Sequence, residues 1–573
     1  MCIRDSPTEN NCSVAEARAA VLRAYAAGRP VFHNATFDLD VAQSWFGLRP
    51  PECFEDTMYM AFLDDPRAQT LSLKPLAELH LGRKPKERDK LKAWILRHVP
   101  EAKEKDWGAY ISRAPGALVG QYAAADTDMT VALAKKLGRR IADRGMLEAY
   151  DRELALTKVT LEMERGGVRL DVRRLMQERA AFAAVQTETA AAVYRRLGGQ
   201  FELGSPKQLF ERLQRYKKLT AVVNTEKGNP SVKMSVLRAV CNDQKLVSAL
   251  AVHSAVEKYL NTFIDPWLAQ AQDGYLHPSF HQVRARTEEG GGGGTRSGRY
   301  SSSNPNFQQV PADVDESKNR DTLLLLQTAL AAHGVEFVGL RGYILPDPGC
   351  SIVSLDYSQQ ELRILAHFEA DTLQAAYLKN PDLDVHEFFR QEIKSSIGTD
   401  YPRKHVKETV FGLIYGLGVE KLAARLDVPP DTARALRDAL LKVLPGVKSL
   451  MRELKDLAAA NKPLVTWGGR QYYCEPPALV NGRMRSFEYK MLNYLIQPSA
   501  ADCTKVGMLN VAADCVRTRI ALQVHDEIVC MVPTAHVKTE VPRLRAALEN
   551  VKFGVPMRAE AAVSSKNWGE LKK

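Results

Sequence analysis

The sequence predicts an α/β domain at the front of the chain, followed by a larger α+β domain. Residues 1–145 alternate short apolar runs with helix-like stretches, a pattern typical of an α/β domain. Residues 150–200 have the pattern of helices, with one break at "ERGGVRLD". Beyond residue 340, the strand-like runs "CSIVSLDYS" and "RIALQVHDEIVCMV" frame a mainly helical block at 358–460. A chain of 573 residues has room for about two to four domains.

The composition suits a polyanionic partner and argues against a membrane or zinc protein. Lys and Arg number 79 against 68 Asp and Glu, a formal charge of +11, although many basic proteins bind no polyanion. No apolar run approaches the roughly 18 residues of a membrane span, and the polar start "MCIRDSPTENN" is unlike a signal peptide.

The nine cysteines form no C-x-x-C pair, so we expect buried free thiols in a cytoplasmic protein. The run "EEGGGGG", residues 288–294, predicts a mobile loop.

One helical segment carries an unusual stripe of side chains. In "RKHVKETVFGLIYG", residues 403–416, Arg403, Lys407, Phe411 and Tyr415 recur every four residues. Because a step of four residues returns to nearly the same side of a helix, the stripe has two cations followed by two aromatic rings. Taken alone, it also fits a solvated face beside a packed core. The functional interpretation is a ligand that is anionic at one end and flat at the other.

Two aspartates stand at the ends of the best predicted strands. In "SIVSLDYSQQELR" an apolar strand runs into Asp356, and in "IALQVHDEIVCMV" the polar "HDE" predicts a hairpin with Asp526 and Glu527 at its tip. Either aspartate alone could simply cap a turn. Adjacent strands would bring them together, and paired carboxylates can hold two Mg²⁺ ions about 3.5–4 Å apart.

The combined motifs resemble family A DNA polymerases, the group of bacterial DNA polymerase I and many phage replicases. "DYSQQELR", "RKHVKETVFGLIYG" and "VHDE" carry the resemblance, and "SGRYSSSNPNFQQVP" and "NYLIQPSAAD" add to it. The likeness runs from about residue 30 to the C-terminus. It implies a right-hand polymerase domain behind an RNase H-like exonuclease domain. The expected boundaries are 1–145 for the exonuclease-like domain and 146–573 for the polymerase, with the thumb at about 190–265, the palm at about 266–365 and 490–573, and the fingers at about 366–489.

The resemblance also assigns a nucleotidyl-transfer site. Asp356 and Asp526 would bind two Mg²⁺ ions with the backbone carbonyl of Tyr357. Glu361 would act as a steric gate against a 2′-hydroxyl, and Phe411 rather than Tyr implies discrimination against dideoxynucleotides. The catalytic set is Asp356, Asp526, Glu527 and Lys407, with Glu527 secondary. The deoxynucleotide contacts are Arg403 and Lys407 to phosphates, Phe411 to the sugar, Tyr415 beside Gly416 at the nascent base pair, and Glu361, His386 and Gln359 around them.

A further set of polar residues would contact the primer–template. Short polar side chains suit the minor groove, where hydrogen-bond acceptors are nearly independent of sequence. Tyr489 departs from the family pattern, in which many relatives carry arginine. The basic segment 204–233 corresponds to the thumb and would grip duplex phosphates. The expected DNA contacts are Arg299, Asn306, Gln308, Gln309, Asn493, Gln497 and His525.

The front domain resembles a damaged proofreading exonuclease. "HNATFD" supplies Asn34 and Asp38 as the second motif, and "YAAAD" supplies Tyr122 and Asp126 as the third. The first motif, a D-x-E, should precede Asn34, yet residues 1–33 contain none. We therefore expect an N-terminally incomplete domain with weak or absent 3′–5′ exonuclease activity, because its metal pair lacks ligands.

These observations favour a template-directed DNA polymerase that binds primer–template DNA and deoxynucleoside triphosphates. A single-subunit RNA polymerase is the second hypothesis, disfavoured by Glu361 and by the exonuclease-like front. An inactive DNA-binding relative is the third, disfavoured by the intact Asp356 and Asp526. We expect no membrane partner and a monomer, with an accessory processivity factor left open, in the cytoplasm of a bacterial cell or a phage-infected host.

Overall fold

The structure is a computed structural model that describes residues 12–225, 228–283, 294–311, 320–480 and 482–571. The predicted glycine loop lies outside these ranges except for Gly294. The described cysteines are all free, but Cys12 and Cys53 are exposed, so the prediction of buried thiols is wrong for these two. Within the described ranges, the structure has no helix with both the length and the apolar character needed to cross a membrane.

The front of the chain is dominated by helices around a very small sheet. The sheet pairs two strands of two residues each in parallel, so the predicted α/β pattern is realised with little strand. The core lies between α3 and α6, where Phe62 and Leu133 are almost fully buried. The elements are α1 Val14–Ala26, β1 Val31–Phe32, α2 Ala35–Phe46, β2 Glu55–Asp56, α3 Thr57–Asp64, α4 Leu73–Leu81, α5 Lys86–His98 and α6 Gly116–Asp143.

The middle of the chain contains two long helices separated by a short strand, as predicted around "ERGGVRLD". Gly167 at this break has a φ of +59°, and a Cβ there would meet the carbonyl oxygen of Leu276 at 2.7 Å, so glycine is required. A π-helical turn, Tyr259–Ile264, joins two of the later helices. The elements are α7 Leu147–Gly166, β3 Val168–Leu170, α8 Val172–Leu197, α9 Pro206–Arg215, α10 Met234–Val240, α11 Gln244–Lys258, α12 Asp265–Gln270, β4 Tyr275–Leu276, β5 Ser279–His281, β6 Ser301–Ser303, α13 Arg320–Ala331 and β7 Ile344–Leu345.

The last part of the chain surrounds its main sheet with helices and confirms the helical block predicted at 358–460. The elements up to that block's end are β8 Cys350–Tyr357, α14 Gln360–Glu369, α15 Thr372–Lys379, α16 Val385–Ile397, α17 Arg403–Ile414, α18 Val419–Leu426, α19 Pro430–Val443 and α20 Pro445–Ala459. The remaining elements are β9 Leu464–Val465, β10 Gln471–Tyr472, β11 Ala478–Val480, β12 Arg483–Arg485, α21 Met491–Asp514, β13 Arg519–Val524, β14 Glu527–Pro533, α22 Val537–Glu549 and β15 Ala559–Ser564.

The main sheet has four strands in the order β13–β14–β8–β15, all antiparallel to their neighbours. Its central strand β8 is apolar along most of its length and buried on both faces, which fits a strand covered by helices on each side. The β13–β14 hairpin closes through His525 and Asp526, with His525 at a φ of +60°. The sheet therefore delivers the ends of β8 and of this hairpin to one edge.

The front and rear of the molecule share a buried ionic network. Lys505 of α21 donates to Glu153 of α7 at 2.6 Å, and Arg470 donates to Asp502 of α21 at 2.7 Å. All four side chains are nearly inaccessible to solvent, and burial lowers the pKa of Lys505 to about 8. Paired charges are the form in which ionised groups are tolerated in a protein interior. The network fixes α21 against α7.

Of the predicted domain boundaries, the one at 145/146 falls in the turn between α6 and α7. The boundaries near 190, 265 and 365 fall inside α8, α12 and α14. The thumb, palm and fingers limits within 146–573 therefore stay a prediction.

Candidate active site

A cavity of about 480 Å³ opens at the edge of the sheet where β8 and the β13–β14 hairpin end. Its walls come from that edge, from α14, from α17, the helix of the predicted fingers, and from α21. Most of the site residues inferred from sequence meet on it. Those that line it are Arg299, Asp356, Tyr357, Gln359, Glu361, His386, Lys407, Phe411, Tyr415, His525 and Asp526.

The sheet register explains why the two aspartates meet. Glu527 of β14 pairs with Asp356 of β8, and Asp526 is the residue just before Glu527 in the hairpin turn. Directly paired residues of antiparallel strands have Cβ atoms about 4.5–5.5 Å apart. Residues that are far apart in sequence therefore become neighbours on the cavity wall.

The carboxylates fit a hard divalent cation. Burial raises the pKa of the Asp526 carboxyl above its usual value, and the charges of Arg299 and His525 oppose this shift. Asp526 makes no ion pair within the described part of the chain, so a bound cation would stabilise its ionised form. The described residues contain no cluster of three or more His, Cys, Asp or Glu suited to a metal. Mg²⁺ usually keeps several water ligands and binds one or two protein carboxylates, so two carboxylates and a carbonyl beside an open cavity suit it.

Tyr357 and Gln359 position the backbone at the end of β8. The Tyr357 ring is buried and its hydroxyl donates to the carbonyl of Leu548 at 2.7 Å, so it points away from Asp356, as alternation along a strand requires. Gln359 has a φ of +56° at the start of α14. It accepts a hydrogen bond from the Tyr377 hydroxyl at 2.6 Å and donates to Leu383 at 3.3 Å. These bonds offset the cost of a left-handed residue beside the site.

Glu527 was predicted as a secondary catalytic residue, and it does not line the cavity. Its carboxylate accepts a hydrogen bond from the Ser354 hydroxyl on β8. A side chain committed to the neighbouring strand supports the hairpin rather than the cavity surface. Its catalytic role stays a prediction, and the structure shows only that its carboxylate is hydrogen-bonded to β8.

The stripe on α17 faces the cavity along most of its length. Lys407, Phe411 and Tyr415 line the cavity, with Tyr415 as the residue that ends the helix. The rings of Phe411 and Tyr415 stack with centroids 6.4 Å apart, and the His386 ring lies 5.9 Å from Phe411. Burial, together with Lys407 and Arg403, lowers the pKa of His386 to about 4. His386 is therefore neutral near pH 7, and its buried Nδ1 has no hydrogen-bond partner among the described residues.

Arg403 is the member of the stripe that does not line the cavity. Its guanidinium donates to both carboxylate oxygens of Asp384, with distances of 2.8–3.1 Å. Asp384 also caps α16 by accepting the backbone N–H of His386 and of Glu387. Asp384 was missed from the sequence, although an aspartate just before "VHEFF" is a recognisable N-cap signal. The first cation of the stripe is thus held by an acidic residue at the base of the fingers.

Glu361 is fixed between the fingers helix and the loop before β6. Its carboxylate accepts the Tyr415 hydroxyl at 2.9 Å and pairs with the Arg299 guanidinium. The Tyr415 hydroxyl also makes a hydrogen bond with Gln497. Because two partners hold it, Glu361 forms a firm wall of the cavity.

The remaining DNA candidates lie outside the cavity lining. Asn306 accepts the backbone N–H of Gln308, and Gln308 donates to Tyr300 at 3.0 Å and to Gln523 at 3.2 Å. Their side chains are therefore engaged in shaping the loop. Gln309 is exposed, and Asn493 and Gln497 are half-buried on α21.

Four lining residues were not singled out from the sequence. Gln360, which donates to the Thr504 hydroxyl at 2.9 Å, anchors α14 to α21. The other three are apolar, and no local sequence signal marked them as lining residues. The four are Gln360, Leu362, Ala500 and Ala501.

In the front domain, the predicted exonuclease residues meet a cation of the protein itself. Asp126 of α6 forms an ion pair with Lys74 of α4, and the Lys74 ammonium lies 4.7 Å from the centre of the Tyr122 ring. Asn34 adopts a left-handed conformation before α2, and Asp38 is exposed in its first turn. Asp126 is thus neutralised by a lysine, whereas Asp56 at the end of β2 is fully buried and accepts the backbone N–H groups of Asn34 and Ala35.

Comparisons with known proteins agree with this architecture. The model of the DNA polymerase family A domain matches residues 172–570, and the model of the 3′–5′ exonuclease domain matches residues 26–142. DNA polymerase I of Chloroflexus aurantiacus is 29% identical over 557 residues, covering 94% of this chain and 54% of that protein. DNA polymerase DpoZ of Salmonella phage PMBT28 is 25% identical over 595 residues, covering 95% and 89%. The chain spans about half the length of the bacterial relatives it matches.

A solved structure shares nearly the whole fold. The POL domain of Pol1 from M. smegmatis, in complex with DNA primer-template and dNTP, superposes with a TM-score of 0.76 and 25% identity. The match covers 98% of this chain and 90% of that one. The family model, the relatives and the superposed fold all point the same way: this chain belongs to DNA polymerase family A.

Proposed function

We propose that this protein is a template-directed DNA polymerase that adds deoxynucleotides to a primer 3′ end. The observation that carries the proposal is the meeting of Asp356 and Asp526 with Lys407, Phe411 and Tyr415 around one cavity. Acidic groups at one end, a cation beside them and stacked rings beyond match the order metal, triphosphate, sugar and base. The similar Pol1 domain binds a primer-template and a dNTP, which supports the same ligands here.

Asp356, Asp526 and the carbonyl of Tyr357 would hold two Mg²⁺ ions. Bound there, the ions would lower the pKa of the primer 3′-hydroxyl and neutralise charge on the leaving pyrophosphate. The hydroxyl oxygen forms a bond to the α-phosphorus as the bond to pyrophosphate breaks. Lys407 supplies positive charge to the phosphates, and neutral His386 can donate one N–H hydrogen bond to them. Gln359 sets the backbone that faces this end of the cavity.

Glu361 would act as the steric gate that selects deoxynucleotides. Arg299 and Tyr415 hold its carboxylate in place, so it cannot swing away to admit a 2′-hydroxyl without losing both contacts. Phe411 would pack against the sugar, and its lack of a hydroxyl predicts discrimination against dideoxynucleotides. Tyr415 would stand beside the nascent base pair.

The front domain would contribute little or no proofreading. Cleavage by two metal ions needs several shared carboxylates, and Asp126 is already paired with Lys74. Of the two aspartates predicted from the exonuclease motifs, Asp126 is therefore engaged by a cation of the protein, and Asp38, in the first turn of α2, is the other. We expect no rapid Mg²⁺-dependent loss of a single-stranded 3′ end, and such a loss would contradict this assignment.

Primer extension with each nucleotide type, with and without Mg²⁺, tests the proposed function. A DNA polymerase extends the primer with deoxynucleotides only when the metal is present. Extension with ribonucleotides alone would favour an RNA polymerase. Binding of primer–template without any extension would favour an inactive DNA-binding relative.

A further inference from the structure

A small β-hairpin projects from the molecule beside the proposed nucleotide site. It consists of the paired strands β11, Ala478–Val480, and β12, Arg483–Arg485, and we call these two strands the 478–485 hairpin. Leu479 pairs directly with Met484, so their side chains lie on the same face. They are 70% and 67% exposed. Two large apolar side chains therefore stand together, mostly uncovered by the rest of the described chain.

The opposite face of the hairpin is cationic. Arg485 pairs with Ala478, and Arg483 pairs with Val480, so both arginines lie on the face away from Leu479. Both are exposed, and neither makes an ion pair with another described residue. An apolar pair backed by two available guanidinium groups is complementary to nucleic acid, whose phosphates attract arginine while its bases accept apolar side chains between them.

The base of the hairpin is firmly anchored. Glu475, just before β11, accepts the Tyr494 hydroxyl at 2.7 Å and the Lys490 ammonium at 2.5 Å. Arg296 approaches the same carboxylate at 3.5 Å, and Arg67 of the front domain donates to the carbonyl of Cys474 at 3.4 Å. An isolated two-stranded ribbon is marginally stable in water. These contacts anchor the two strands that carry Leu479 and Met484.

The hairpin lies on the base side of the proposed nucleotide site. Arg485 lines a second cavity of about 950 Å³ together with Tyr489, Gly416 and Tyr415. Tyr415 also lines the nucleotide cavity, so one ring separates the two spaces. Lys407, the proposed phosphate contact, lies two helical turns before Tyr415 on α17. DNA that has not yet been copied must lie beyond the nascent base pair, which is the side on which the hairpin stands.

We propose that the 478–485 hairpin contacts the first base pair of the uncopied duplex and helps to separate its strands. This inference rests on the proposed polymerase function. Leu479 and Met484 would lie against the exposed base pair, as apolar wedges do at unstacked steps. Arg483 and Arg485 would bind the phosphates of one of the parted strands. The protein would then extend a primer through an annealed downstream strand faster than it would without these hairpin side chains.

The test compares two substrates that share one primer and one template. The first has a single-stranded template ahead of the primer, and the second carries an annealed downstream strand that must be displaced. The variants are Leu479→Asn with Met484→Asn, and Arg483→Gln with Arg485→Gln. The control is Leu79→Asn, because Leu79 is 75% exposed on α4 in the front domain, outside the hairpin. Thermal unfolding of each variant checks that it folds.

Because the hairpin would help to unstack the first base step, we expect each hairpin variant to lower the rate on the blocked substrate at least about fivefold. Its rate on the open substrate should stay within about twofold, and the control should change neither. The role of the hairpin would be overturned if the variants extended the blocked substrate as fast as unmodified protein does. It would also be overturned if they lost the same factor in rate on both substrates. Unmodified protein that extends the open substrate but not the blocked one would overturn it too. Unmodified protein that extends neither would instead overturn the proposed polymerase function, and this inference with it.

Discussion

The chain contains two acidic regions that resemble metal-dependent sites, and they differ in what faces the carboxylates. In the polymerase region, Asp356 and Asp526 open onto a cavity that is also lined by Lys407. In the front domain, Asp126 is paired with Lys74 under the ring of Tyr122. Asp526 makes no ion pair within the described part of the chain, and a carboxylate that already pairs with a cation of the protein gains less by binding one from solution. The comparison shows that a motif residue can be present while its charge is already neutralised by an ion pair within the protein, as Asp126 is by Lys74.

The largest expected effect on primer extension comes from making the same Asp→Asn substitution in each of the two regions. Asp526→Asn removes a charge that would hold metal, so primer extension should fall about a thousandfold or more, or roughly 4 kcal/mol of transition-state stabilisation. Asp126→Asn should leave extension within about twofold, since Asp126 pairs with Lys74 in the front domain and does not line the nucleotide cavity. Steady-state extension rates on one primer–template measure both. Comparable losses in the two variants would mean that the regions are not functionally distinct.

Glu361 offers a second way to sharpen the polymerase side of the comparison. Glu361→Ala should raise ribonucleotide incorporation at least about tenfold relative to deoxynucleotide incorporation, because the wall held by Arg299 and Tyr415 is removed. Competition between the two nucleotide types in primer extension measures the ratio. Glu361→Gln keeps the volume of the side chain and should change the ratio much less. An unchanged ratio in the alanine variant would remove the gate assignment.

Lys74 tests the front domain directly. Lys74→Met leaves Asp126 without its cation, and since the pair is partly accessible to water, the free energy of unfolding should fall by about 1 kcal/mol. Lys74→Arg keeps the charge and serves as the control. Chemical denaturation measures both. If Lys74→Met gained Mg²⁺-dependent degradation of a 3′ end, the lysine alone would have been blocking a functional nuclease site.

The smallest expected effects concern the grip on duplex DNA. Lys207, Arg215 and Lys217 in the predicted thumb segment are exposed, and none makes an ion pair within the described ranges. Each charge-removing change to Gln should weaken binding about threefold and reduce the slope of log affinity against log salt by about 1. Lys218, which pairs with Asp243 at 2.9 Å, is the matched control and should change the slope less. Salt titration of primer–template binding gives the slopes, and a flat response would contradict a phosphate-dominated grip.

Many of the cavity-lining residues could be predicted because they belong to short sequence motifs. The spacing of Lys407, Phe411 and Tyr415 places them on one face of any helix they form, and α17 presents that face to the cavity. The runs around Asp356 and Asp526 predicted β8 and the β13–β14 hairpin correctly. Gln360 and Ala500 entered the lining without a local signal, because their positions depend on how α14 and α21 pack.

The sequence by itself predicted which residues would carry the chemistry: two strand-end aspartates, a cation–aromatic stripe and the exonuclease-like residues of the front domain. Only the tertiary structure decided which of these groups remain available. It paired Arg403 with Asp384, tied Glu527 to Ser354, held Glu361 between Arg299 and Tyr415, and matched Asp126 with Lys74. Such partners are contributed by other elements of the fold. Local periodicity specifies the face on which a side chain lies, whereas the charge that meets it there depends on packing between distant segments.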